Sequence, residues 1–343
     1  MDWTKRYRHS TARSAGTGGS IRGPFSGGSL LVKVTFYGVR GSTPCPCEPN
    51  RRYGGNTACV VVDAPGSDPL VFDLGTGLRF WGDALPADQP FRGTALVTHL
   101  HWDHVQGLPF FGPVLRPGSH LDVYAPPQDG VSVAEAFSDF MRPPYFPVRI
   151  ADLLGDITFR ETGTAPFEVG RAKVRAALVP HVGDTNGYRV EVDGRVITYI
   201  SDHQEPADGS GIVSPEVLEL CRGADLLIHD AQYTPEEFVL KSTWGHCTVD
   251  YAVRVAAEAG VRRLALFHHD PGHDDATIDA LAAHARSVAA GTSIEEVLIA
   301  AEGLTIVLAA EPHHNGNGNG NGNGNGNGNG AADRAQRRTP VAH

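Results

Sequence analysis

The chain has 343 residues, 41 % of them hydrophobic and 20 % charged, with a formal net charge of −10. This is the composition of a globular protein with ample core material, and its acidity argues against a broad basic surface for long nucleic acid. No stretch approaches about 18 consecutive apolar residues, so no membrane span is expected, and no apolar run of leader length precedes Leu30.

Residues 1–29 are rich in Ser, Gly, Thr and Arg and are expected to be disordered. A single folded domain is expected over 30–311. Its first strands read at Leu30–Tyr37, Ala58–Asp63 and Leu70–Asp73, followed by Ala95–Thr98 and Leu121–Tyr124. After the third of these strands, Asp73-Leu74-Gly75-Thr76-Gly77 is a Gly-rich turn without the Lys-Ser/Thr of a nucleotide loop, and reads as architecture. Met141–Pro147 carries aromatics and prolines that suit a short lid. Val174–Val179 leads to His181, and a hairpin follows: Tyr188–Val192, the turn Asp193-Gly194, and Val196–Ile200. Ser214-Pro215 opens a helix, and Thr234-Pro235-Glu236-Glu237 has capping-box spacing. Thr248 caps a helix that Gly260 ends, and another runs from Asp275 to Ala290. Short buried strands read at Leu226–His229, Leu264–His268, Val297–Ala300 and Leu304–Leu308. Eight Asn-Gly dipeptides fill 315–330, so 312–343 is expected to be a low-complexity disordered tail. Strand-rich stretches broken by helices in both halves imply an α/β protein of two sheets packed face to face with helices outside. The five cysteines, an odd number with no Cys-x-x-Cys spacing, fit a reducing compartment, and the expected location is cytoplasmic.

The chemistry concentrates after Thr94-Ala95-Leu96-Val97, where His99, His101, Asp103 and His104 fall within six residues. Packing gives no reason to cluster three imidazoles and a carboxylate behind an apolar strand. They exceed what one ion takes from so short a segment, which implies two adjacent metals and a binuclear hydrolase. Further ligands are expected at strand ends: His181, Asp202 and His268, with the neighbouring His269 an alternative to the last. His203 reads as a rim residue.

These residues resemble the metallo-β-lactamase superfamily, over about 31–309. The resemblance implies an αββα sandwich in which His99, His101 and His181 hold one metal. Asp103, His104 and His268 would hold the second, with Asp202 bridging and a water activated by the pair as nucleophile. Zinc fits the donors best, with manganese or iron open. Trp244-Gly245-His246-Cys247-Thr248 and Leu227-Ile228-His229-Asp230-Ala231 are similar to segments of the phosphodiesterase branch that includes ribonuclease Z. There, His246 would contact the scissile phosphate and protonate the leaving group, at a helix N-terminus that favours phosphate, while Asp230 would orient it and Asp103 would orient the nucleophile. His229 reads as structural. The openings Gly38–Pro44 and Tyr53–Thr57 look like those of small phosphodiesterase-like members. The expected substrate is a small phosphodiester, a cyclic nucleotide or cyclic sugar phosphate. The alternatives are ribonuclease Z-like RNA cleavage, lactonase or thioesterase chemistry, and a metal-binding sensor without turnover; homodimers are frequent in the branch.

Overall fold

The computed structural model describes residues 31–309 except position 129. The expectations for the two termini lie outside the described residues. The strands are β1 (Leu31–Gly38), β2 (Cys59–Asp63), β3 (Leu70–Phe72), β4 (Arg92–Leu96), β5 (His120–Ala125), β6 (Asp156–Glu161) and β7 (Phe167–Val169). They continue with β8 (Ala172–Leu178), β9 (Asn186–Val192), β10 (Arg195–Ile200), β11 (Leu226–Asp230), β12 (Arg263–Phe267), β13 (Glu296–Ile299) and β14 (Thr305–Ala309). One sheet has the order β14-β1-β2-β3-β4-β5-β6 and the other β13-β12-β11-β10-β9-β8-β7.

Both sheets are built alike: three antiparallel pairings, then three parallel ones. β3 and β10 occupy the same place in this pattern, as the strands where pairing changes sense. The antiparallel strand β1 alternates buried Val32, Val34 and Phe36 with more exposed neighbours, the period-two signature of a one-sided core. The parallel strands β11 and β12 are buried almost throughout because both of their faces are covered. Between the sheets lie Phe36, Phe72, Tyr188, Tyr199 and Phe267, with Phe72 stacked on Tyr199 at 4.6 Å.

Helices cover the outer faces. α1 (Leu78–Ala84), α2 (Trp102–Val105) and α3 (Val133–Phe140) bury Leu78, Trp81, Val105 and Phe137 against the first sheet. α4 (Pro215–Cys221), α6 (Val249–Glu258) and α7 (Asp275–Ala289) cover the second, while α5 (Pro235–Lys241) buries no residue. This is the αββα sandwich expected, and among the described residues no helix is long and apolar enough to cross a membrane.

All twelve expected strands are present with ends shifted by up to three residues. The two unforeseen ones, β6 and β7, are short or half-buried edge segments with weak alternation. α1 was also unforeseen, since Gly77 caps it with no side-chain bond. α3 carries a legible signal in its Ser132–Glu135 capping box.

Two loops are clasped backbone to backbone beneath the sheet rim. Gly107 N–H donates to Leu74 C=O, and a Cβ on Gly107 would lie 1.9 Å from the Gly75 carbonyl oxygen. We therefore expect Gly107→Ala to destabilise the fold by about 1–3 kcal/mol, read from the denaturant midpoint, because the obstructing atoms are main chain and cannot rotate away.

Candidate metal centre

β3 and β4 run parallel, as do β10, β11 and β12, and β8 shares their direction through two antiparallel pairings. Their C-terminal ends bring Asp73 and the His99–His104 run from one sheet to His181, Asp202, Asp230 and His268 from the other.

The seven expected ligands form two groups. His99 Nε2 lies 2.8 Å from His101 Nδ1, and His181 Nε2 lies 3.4 Å from the same atom. Asp103 Oδ2 lies 3.1 Å from both His104 Nε2 and His268 Nε2. Asp202 stands between the groups. Its Oδ2 faces His99 Nε2 at 3.9 Å and His181 Nε2 at 3.8 Å, while its Oδ1 faces His104 Nε2 at 3.2 Å and His268 Nε2 at 3.5 Å.

The outer bonds fix which nitrogen is bare. His104 Nδ1 donates to Asp73 Oδ2 at 2.8 Å, His181 Nδ1 to the Gly245 carbonyl at 2.7 Å, and His268 Nδ1 to Gln232 Oε1 at 2.9 Å. Thr98 Oγ1 donates to the Asp73 carboxylate and so accepts from His99 Nδ1 at 3.1 Å. Four rings thus spend their N–H outward and turn an Nε2 lone pair inward, toward one another and toward carboxylate oxygens. Lone pairs at these separations repel unless a cation lies among them. The buried His104 Nε2 and Asp202 Oδ1 have no hydrogen-bond partner, and the donor set of imidazoles with carboxylates suits divalent metal.

The electrostatics agree. Burial opposes a charged His104, but Asp103, Asp202 and Asp73 outweigh it and hold its pKa well above the usual value, so the position draws positive charge. Burial likewise opposes ionised Asp103 and Asp202, yet the surrounding histidines keep both well below the ordinary carboxylate range. His99 is pushed well down by burial and by its histidine neighbours.

His268, not His269, faces the group: His269 Nε2 donates to the Ala300 carbonyl at 2.9 Å, on the far side. His268 has φ +60°, and Asp73 and Ser42 both have φ +58°. Among the described residues, three of the four non-glycine residues in this left-handed region therefore touch the centre, Ser42 through its N–H on Asp103 Oδ2 at 2.7 Å.

His246 Nδ1 donates to Asp230 Oδ2 at 2.9 Å and lies 3.7 Å from Asp202 Oδ2. Burial would lower its pKa, but the Asp230 charge and hydrogen bond hold it above the ordinary histidine value. Two expectations are corrected. The N-terminus of α6 is not open to phosphate, because Glu205 Oε2 accepts from Thr248 N–H at 2.9 Å and from its hydroxyl at 2.7 Å. His203 is no rim residue; it is fully buried, paired with His229 at 2.9 Å. Asp73, Thr98, Gln232 and the Gly245 carbonyl were not foreseen as partners of the ligand histidines. Only Asp73 carried a signal, as a carboxylate in a strand-end turn.

This combination, an αββα sandwich with paired His/Asp groups at one rim, defines a metallohydrolase. A family model described as the beta-lactamase superfamily domain matches residues 70–269, and the chain belongs to that superfamily, in its ribonuclease Z-like branch. It is 27 % identical over 292 residues to a ribonuclease Z of Synechococcus sp. (strain CC9605), covering 70 % of this chain and 87 % of that one. Among solved structures, zinc-bound PqqB from Methylobacterium extorquens superposes with a TM-score of 0.61 at 19 % identity, over 80 % of this chain and 100 % of that one. The short form of human tRNase Z gives 0.57 at 21 % identity, over 80 % and 98 %.

Replacing His268 with alanine should lower the divalent metal bound per chain by elemental analysis, whereas His269→Ala should leave the content unchanged. Asp73→Asn should keep the metal content at saturation but weaken the affinity about 10- to 100-fold in a chelator competition.

Proposed function

We propose that the chain is a binuclear metal-dependent phosphodiesterase that cleaves a small cyclic or diester phosphate. The observation that carries this reading is the His246–Asp230 pair set against Asp202. An alkoxide leaving a phosphodiester needs a proton, and a buried imidazole held by a carboxylate beside the metal ligands is a suitable donor. The curated relatives, named ribonuclease Z, point to the same bond.

In this reading His99, His101 and His181 hold one cation, Asp103, His104 and His268 hold the other, and Asp202 is shared. Zinc is the first choice on donor chemistry. Bound there, the cations supply Lewis acidity and bring the pKa of a water to about 7. Asp103 orients the attacking water. His246 delivers a proton to the departing oxygen, and Asp230 holds its ring by Nδ1 while the other nitrogen does so.

A small substrate suits the net charge of −10 and the surface beside the centre. Trp102, which separates His101 from Asp103, lines a cavity of about 450 Å³ with Phe110, Phe140, Tyr145 and Phe146. Tyr145 and Phe146 come from the segment expected to form a lid. RNA processing is the second reading, favoured by the names of the curated relatives and by their coverage of 87 % and 90 % by this chain.

A turnover screen of metal-loaded protein against cyclic nucleotides, cyclic ribose phosphates, a precursor tRNA and a lactone tests the ranking. We expect the cyclic phosphates to lead; preference for precursor tRNA would move the assignment to RNA processing, and lactone turnover alone would remove the phosphodiester reading. His246→Ala should retain both metals while losing about 10²-fold or more in kcat on a diester with a poor leaving group.

A further inference from the structure

Behind the centre lies a second pair of imidazoles that takes no part in ligation. The His203 ring is fully buried against Tyr251, at 5.2 Å between centroids, and against His229 at 5.1 Å. His203 Nδ1 is 2.9 Å from His229 Nε2, and His229 Nδ1 is 2.6 Å from the Asp230 carbonyl oxygen. A carbonyl only accepts, so His229 carries its proton on Nδ1. Its Nε2 is then a bare acceptor, which obliges His203 to carry its proton on Nδ1 too. The chain of donors thus runs from His203 through His229 to the Asp230 carbonyl, and His203 Nε2 is a buried nitrogen without a hydrogen-bond partner.

We propose that His203 and His229 are positioning residues that aim the proton donor His246 by immobilising Asp230. Asp230 is gripped at both ends. Its carbonyl accepts from His229 and from the Cys247 thiol at 3.1 Å. Its carboxylate accepts from the His203 backbone N–H on Oδ2 and from the Gln232 N–H on Oδ1, each at 3.0 Å. What remains of Oδ2 is directed at His246 Nδ1. A carboxylate held in this way cannot swing about its own side-chain torsions, so the imidazole it holds keeps one orientation. His203 contributes twice, through its main-chain N–H on the carboxylate and through its ring on His229. In turnover His246 gives its Nε2 proton to the oxygen released as the P–O bond breaks and recovers one from solvent, while Nδ1–H stays on Asp230.

The inference rests on the phosphodiesterase reading for the part played by His246, and the test separates the two. Nitrogen-15 NMR of the metal-loaded wild-type protein should show both His203 and His229 as Nδ1–H tautomers; an Nε2–H or doubly protonated ring at either position overturns the arrangement. His229→Asn keeps a donor for the Asp230 carbonyl, whereas His229→Leu removes it. On an alkyl diester, His229→Leu should lose about 10-fold in kcat with KM unchanged, and His229→Asn should recover most of that loss. On bis(4-nitrophenyl) phosphate, whose leaving group departs without a proton, both variants should stay within about twofold of wild type. Equal losses on the two substrates, or loss of bound metal, would make the pair merely structural and overturn the proposal. If His229→Leu does not fold, the tautomers and the Asn variant decide. A wild-type protein that turns over no diester would remove the phosphodiesterase reading, and the tautomers alone would then decide the arrangement around Asp230.

Discussion

Four carboxylates buried within one rim are the constraint on which this structure turns. Asp73, Asp103, Asp202 and Asp230 are each no more than 5 % exposed. Their hydrogen-bond and ion-pair partners are histidines, hydroxyls and backbone N–H groups, with no lysine or arginine among them. Taking a carboxylate out of water costs several kcal/mol even after relaxation. Two divalent cations would bring four positive charges to four negative ones, which makes metal binding and folding of this rim one energetic problem.

The fold meets that problem by repetition. Each sheet changes from antiparallel to parallel pairing at one strand, β3 or β10, and a buried aspartate follows each: Asp73 holds His104 from outside, while Asp202 faces both ligand groups. The next strands, β4 and β11, lead to the His99–His104 run and to Asp230. Rigid strand ends supply the side chains, strained backbone at Asp73 and His268 turns two of them inward, and the same strain at Ser42 aims its N–H at Asp103. The close approach of Gly75 and Gly107, which admits no Cβ, locks the loop that carries Asp103 and His104 onto the loop that carries Asp73.

Local chemistry was the legible part. The run from His99 to His104 declares itself because its ligands are neighbours in the chain, and the capping signals at Ser214, Thr234 and Thr248 appear in the structure as side-chain bonds to helix N–H groups. His203 was misread for the opposite reason. An imidazole beside Asp202 looks like a ligand's neighbour at the rim, and only the packing of Tyr251 and His229 against it reveals a buried ring. Glu205 gave no hint that it would close the N-terminus of α6, since the two are 43 residues apart.

Hydrophobic periodicity, caps and the density of histidines sufficed for the αββα class and for the His and Asp residue types gathered at its rim, because those signals act over a few residues. The choice of His268 over His269, the outward bonds that bare each Nε2, and the grip on Asp230 came only with the folded chain. Most of these contacts depend on a backbone torsion or on a partner tens to more than a hundred residues away, and no short-range pattern records either.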